Sequence, residues 1–257
     1  MHVDLTLTAS TLFAFLLVLG RLAGAFSFVP FPGAQAGPTT ARVLLALACT
    51  FALYPRWPVV DVSSASLGLM VSWILSEAAL GIAIGLLVGF IGEALIVGMQ
   101  MLSLQAGYGY ASVVDPNTQA DSGILPMMAQ ITAGLLFFAT GLDQRVIMAF
   151  ALSLDRYPPG SFSLTRGLAE SVILVGSNIF SVGLRLAFPV IGLLLMTDVS
   201  LALLGRVNAQ LQLVQQAFSA KMLLTLVALS AILIVVPSLY ESFAAQVFNV
   251  IREFFLR

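Results

Sequence analysis

The sequence predicts an all-α fold of hydrophobic helical hairpins, some of them kinked, held in or against a membrane. Apolar residues make up 60% of the chain and charged residues 9%, where an ordinary soluble domain carries roughly 45–50% and about 25%. So little charge cannot clothe a water-exposed surface. The apolar residues also fall in long blocks, at 5–29, 43–54, 67–114, 124–152, 168–205 and 222–250, which read as helices in a bilayer setting. The connectors are short and rich in Pro and Gly (residues 30–41, 55–66 and 153–167), so residues 1–257 read as a single helical unit without a separate soluble domain.

The first block follows "MHVDLTLTAS", which lacks a basic leader and carries Asp4. It reads as a retained helix, not a cleaved signal peptide. Residues 43–54 would form a helix of about 18 Å, too short for a hydrocarbon core of about 30 Å. The 67–114 block, with Glu77 and Glu93 as its only charges, is long enough for two spans but has no polar loop to turn between them. Two explanations fit: re-entrant or kinked hairpins, or helices buried against other subunits. Gly81, Gly85 and Gly89, with Gly92 close by, lie near one helix face and allow close backbone contact with a partner helix. The acidic connector holding Asp115 and Asp121 contrasts with Arg156 and Arg166 in the next one, which places the arginines on the cytoplasmic side.

Several chemistries lack their residues. His2 is the only histidine, so a catalytic triad, a histidine base and a histidine metal cage are all missing a member. No phosphate-binding Gly-Lys loop occurs, and Cys49 is the only cysteine, inside an apolar run. A net charge of −1 without a basic run excludes a nucleic-acid footprint. The reading is of a non-enzymatic protein with no cofactor and no metal.

The ionisable residues inside apolar blocks need explaining, because an arginine at the centre of a membrane helix costs roughly 2.5–3.5 kcal/mol. Arg21, Glu77, Arg185, Asp198, Arg206 and Lys221 are the expected buried charges. Interhelical pairing or snorkelling to the interface fits them as well as an aqueous path does. In "RVNAQLQLVQQAFSAKM" (206–222), Val207, Leu211, Val214, Phe218 and Met222 form one helical stripe. Asn208, Gln212, Gln215, Gln216 and Ser219 form an amide-rich one, with Gln210 beside them, which suits a subunit interface or an ordinary connector. In "GYGYASVVDPNTQADSGILP" (107–126), Gly107 and Gly109 loosen the helix, Asp115 and Pro116 carry turn chemistry, and Pro126 restarts a helix. A simple hairpin needs fewer residues. The added Tyr108 and Tyr110 suit a segment that enters a cavity and moves.

Together "RLAGAFSFVPFPGAQAGPTTARVLLALACTFALYP", "SEAALGIAIGLLVGFIGEALIVGMQMLSLQAGYGYASVVDP" and "FPVIGLLLMTDVSLALLGRVNAQLQ" resemble the FliR family of flagellar type III export-gate subunits, which has a related injectisome T subunit. The likeness covers essentially the whole chain. It implies a membrane-associated export gate, assembled with P and Q subunits and contacting the B subunit, in the inner membrane within the flagellar basal body. Unfolded flagellar proteins would pass through it, driven by the proton gradient and an ATPase elsewhere in the apparatus. It also implies that residues 107–126 form a central pore plug, with Tyr108 and Tyr110 filling the lumen. Two positions depart from the family pattern. Ala209-Gln210-Leu211-Gln212 stands where Pro-Gln-Leu-Asn is usual, and Asp143-Gln144-Arg145 replaces a region that often holds a histidine. Competing readings are a small-solute secondary transporter, which would show inverted repeats and midplane ions, and a purely structural assembly factor, which differs from a gate only in a static 107–126 loop.

Overall fold

A computed structural model describes residues 9–29, 39–60, 66–108, 123–158, 160–162, 165–207 and 213–255. Among these it contains eight α-helices and no strand, in agreement with the all-α expectation. They are α1 (Ala9–Phe26), α2 (Thr39–Ala52), α3 (Leu67–Ala106), α4 (Ile124–Ala139), α5 (Leu142–Arg156), α6 (Arg166–Val207), α7 (Leu213–Ile232) and α8 (Val236–Phe255), with a short 3-10 turn at Tyr54–Arg56.

Local chemistry sets many of these boundaries. Pro55 in the first turn of the 3-10 segment stops α2. Ser66 caps α3, its Oγ accepting from the Leu69 amide at 3.4 Å and its carbonyl from Met70. Thr165 caps α6 in the same way through the Leu168 amide. Gly141, at φ 67°, closes α4 by donating to the Phe138 carbonyl, and α5 leaves at 66° to it. The apolar block at 124–152 is therefore two helices. The block at 222–250 likewise breaks at residues 233–235 into α7 and α8, bent by 64°, because Pro237 cannot continue a helix but fits a first turn.

The 67–114 block contains no hairpin through residue 106. It is one helix of 40 residues, about 60 Å long. No polar loop interrupts it because none is needed. It ends at Ala106 because Gly107 adopts φ +85°. α6, with 42 residues, is of similar length and carries Pro189 inside it.

Contacts divide the chain into two compact units. The first comprises Met1–Phe90, Phe137–Val175 and Ala245–Arg257, and the second Ile91–Leu136 and Gly176–Ala244. In the first, Phe13, Leu17 and Val60 form a buried cluster with Met70, Trp73 and Ile74 against it. Phe26 meets Phe150 at 6.2 Å between ring centroids, and Phe162 stacks on Phe255 at 6.1 Å. In the second, Leu102, Ala106, Leu125, Val190, Leu194 and Leu229 make the core, drawn from α3, α4, α6 and α7.

Candidate functional site

Within the second unit, the polar groups converge on the end of α3. Gly107 donates to the Leu104 carbonyl at 3.3 Å and Tyr108 to the Ser103 carbonyl at 3.0 Å. This is the paired pattern of a glycine-terminated helix, with the residue after the glycine packing back on the helix. Tyr108 packs on the cluster that holds Leu102 and Ala106, and its hydroxyl donates to the Met222 carbonyl of α7 at 3.1 Å. A Cβ at Gly107 would come within 2.8 Å of the Phe218 ring. Glycine is required there both by its positive φ and by the space.

The return of the 107–126 loop lies against the same turn. Gly123 precedes α4 and its carbonyl accepts from the Met127 amide. A Cβ at Gly123 would sit 2.8 Å from the Ser103 hydroxyl and 3.6 Å from Pro126 Cδ. Pro126 stands in the first turn of α4, where its missing N–H costs nothing. The residues that flank 109–122, Tyr108 and Gly123, thus meet at Ser103. Gly109, Tyr110, Asp115 and Pro116 lie outside the described residues.

Beside this junction, Lys221 of α7 pairs with Asp198 of α6, Nζ to Oδ1 at 2.8 Å, and donates to Oδ2 at 3.0 Å. Gln105 of α3 donates to the same Oδ2 at 3.3 Å. Sequence reasoning missed Gln105, Phe218 and the Met222 carbonyl as partners. Gln105 offered one signal: it is an amide two residues before a helix-ending glycine.

The first unit holds a second constellation. Arg21 and Glu77, each 1% exposed, pair through Arg21 Nε and Glu77 Oε2 at 2.5 Å. Arg21 also donates to Ser153 Oγ at 3.0 Å and to the Tyr157 carbonyl at 3.2 Å, so one guanidinium joins α1, α3 and the end of α5. Glu77 Oε1 has no hydrogen-bond partner among the described residues. Arg185 and Arg206, expected among the buried charges, are instead exposed on α6. Both lie on faces of α6 that this chain does not itself cover, unlike Leu186, Ala187 and Val190 on the packed face. Asp198 and Lys221 are half-buried.

The glycines of α3 face α1. A Cβ at Gly81 or Gly85 would run into the carbonyl of Arg21 or Ala25, and one at Gly89 would lie 2.7 Å from the Phe28 carbonyl. From the other side, a Cβ at Gly24 would lie 2.7 Å from the Ala78 carbonyl. Gly92 is buried further along α3. In the second unit Gly98 meets Gly183 of α6 in the same manner. Of the amide-rich stretch, Asn208, Gln210 and Gln212 lie outside the described residues, as do the side chains of Gln215 and Gln216.

Among the described residues, α1, α3 and α6 are each long and apolar enough to cross a membrane, and up to five spans result if each bent pair counts as one. Residues 12–247 match the family described as bacterial export proteins, family 1. The chain is similar to the flagellar biosynthetic protein FliR of Escherichia coli (strain K12), 28% identical over 234 residues that cover 91% of this chain and 89% of that protein. It is also similar to the protein of that name from Aquifex aeolicus (strain VF5), 26% identical over 186 residues, 72% of this chain and 71% of that one. The Bacillus subtilis (strain 168) protein of the same name is 24% identical over 246 residues, 89% and 90% of the two chains.

Proposed function

The chain belongs to the bacterial export proteins, family 1, and from that membership we propose that it is a non-enzymatic subunit of the flagellar type III protein export gate. In this reading it forms a pore with P and Q subunits in the bacterial inner membrane, within the flagellar basal body, and contacts the B subunit. Unfolded flagellar proteins cross through that pore. Residues 107–126 are its plug.

The observation that carries the reading is one of length. At about 60 Å, α3 and α6 are twice the roughly 30 Å hydrocarbon thickness, and even a 40° tilt lengthens the crossing to only about 39 Å. An apolar helix that outruns the bilayer by this much needs protein cover along the remainder. The chain supplies part of it: the apolar window of α3 is 61% buried, that of α6 only 33%. Leu174, Phe180, Phe188, Met196 and Leu203 stay exposed along α6, a surface suited to helical partners as well as to lipid. The plug assignment draws support from the shared base at Ser103, where the residues on both sides of 109–122 meet.

Purification from cells that also express the candidate partner subunits tests the assembly. A stable hetero-oligomer is the expected product. A chain that stays monomeric in lipid nanodiscs, with every span crossing, overturns the reading. Deleting residues 109–122 tests the plug, with a rise in membrane ion conductance and intact assembly as the expected result.

A further inference from the structure

Asp198 is the odd member of its turn. Its neighbours Thr197 and Ser200 bond back to carbonyls of their own helix, at Leu193 and Met196. Asp198 instead accepts from Gln105 of α3 and from Lys221 of α7. A charged pair between apolar helices is not required for packing, since two apolar side chains of similar volume serve as well or better. What such a pair does supply is a fixed register between the helices it joins. The register fixed here is that of the last turn of α3 against the turn of α7 that holds Phe218, Lys221 and Met222. Phe218 fills the space left by the missing Cβ of Gly107, and the Met222 carbonyl holds the Tyr108 hydroxyl.

We propose that Asp198, Lys221 and Phe218 are positioning residues that hold Gly107 and Tyr108 in the geometry that ends α3 and so fix the point from which residues 109–122 depart. The inference rests on the plug reading for its consequence, but not for its geometry. The Asp198–Lys221 pair fixes α7 beside α3. The Phe218 ring then blocks Gly107 from shifting, and Tyr108 stays tied to α7. Loss of the pair frees α7 to slide, and the two amide hydrogen bonds that end α3 open more often.

The test is hydrogen exchange at the Gly107 and Tyr108 amides in the assembled complex, read beside ion conductance in cells. Asp198→Asn and Lys221→Met are each expected to speed exchange at these amides about tenfold, the scale on which contacting residues couple. The charge-swapped double variant D198K/K221D is expected to restore most of the protection, a rescue that a merely volumetric role would not give. Resting conductance rises in the single variants and falls back in the swap. Glu170→Gln, which breaks the exposed Arg166–Glu170 pair, leaves both readouts unchanged. If the charge variants do not assemble, Phe218→Ala removes the ring without stranding a charge and is read in the same way.

Unchanged exchange in single variants that assemble overturns the positioning role, even where deletion of residues 109–122 raises conductance and so supports the plug. Faster exchange with rescue by the swap, but with conductance unmoved by both the single variants and the deletion, supports the positioning role and sinks the plug reading instead.

Discussion

Replacing Arg21 by methionine leaves Glu77 as a carboxylate without its cation in a site where both side chains are 2% exposed. Breaking a buried pair in this way costs about 3–5 kcal/mol. The loss is not softened elsewhere: Glu77 Oε1 already has no partner among the described residues, and Oε2 loses the Arg21 bond. Ser153 keeps its bond to the Phe150 carbonyl, so the two lost Arg21 donors add little beyond about 1 kcal/mol. Glu77→Leu is expected to cost a similar amount by stranding the guanidinium. The double variant R21M/E77L removes both charges and fills the same space, so it is expected to lie within about 1 kcal/mol of the parent. The coupling between the two sites is then at least about 3 kcal/mol, and an unfolding titration in detergent measures it. Trp57 and Trp73 are the reporters, since both tryptophans of the chain belong to the first unit. Additive costs for the two single variants would falsify the buried pair.

Other outcomes follow from the same geometry. Gly85→Ala drives a Cβ into the Ala25 carbonyl and is expected to destabilise by about 1–3 kcal/mol, whereas Gly68→Ala, with nothing within 4 Å, gains up to about 1 kcal/mol of helix propensity; detergent melting of the pair of variants separates packing from propensity. Tyr240→Phe loses a buried bond to the Ala133 carbonyl and leaves that acceptor bare, a cost of about 1–3 kcal/mol read by circular dichroism through the unfolding transition, since the second unit holds no tryptophan. Arg56→Gln breaks a pair whose side chains are 45% and 53% exposed, so it is expected to change stability by less than about 1 kcal/mol, and a larger change would mean that this surface is covered in the assembly. Gly107→Ala must adopt φ +85° and displace Phe218, which costs roughly 1–2 kcal/mol from the backbone alone; the readout is exchange at the neighbouring Tyr108 amide.

Helix existence was legible in this chain and helix breaks were less so. Apolar blocks locate α1, α2, α3 and α6 because burial and lipid both demand unbroken hydrophobicity. The same signal cannot see the break at residues 233–235, where leucine, isoleucine and valine continue the block through a bend. Only Pro237, two residues on, betrays it. The 124–152 block hides Gly141 for a similar reason: glycine is common enough in membrane helices that its left-handed geometry is apparent only with the backbone in hand. For the polar constellations, a single sequence tells that a mid-helix arginine is costly. It does not tell that Glu77, 56 positions later, answers it, since that pairing depends on which faces of α1 and α3 meet. The exposed Arg185 and Arg206 illustrate the converse, for an apolar setting in sequence does not by itself bury a side chain within its own chain.

The glycine contacts between α1 and α3 have a mechanical corollary. Where main chain rests on main chain at Gly24, Gly81, Gly85 and Gly89, there are no rotamers to reshuffle and no side-chain layer to shear. The two helices form a stiff spar over that length. Bending of the chain must then fall elsewhere than along that contact, and the breaks in its helices at residues 233–235, at the left-handed Gly141 and at the terminus of α3 at Gly107 are where the backbone ladder is already interrupted.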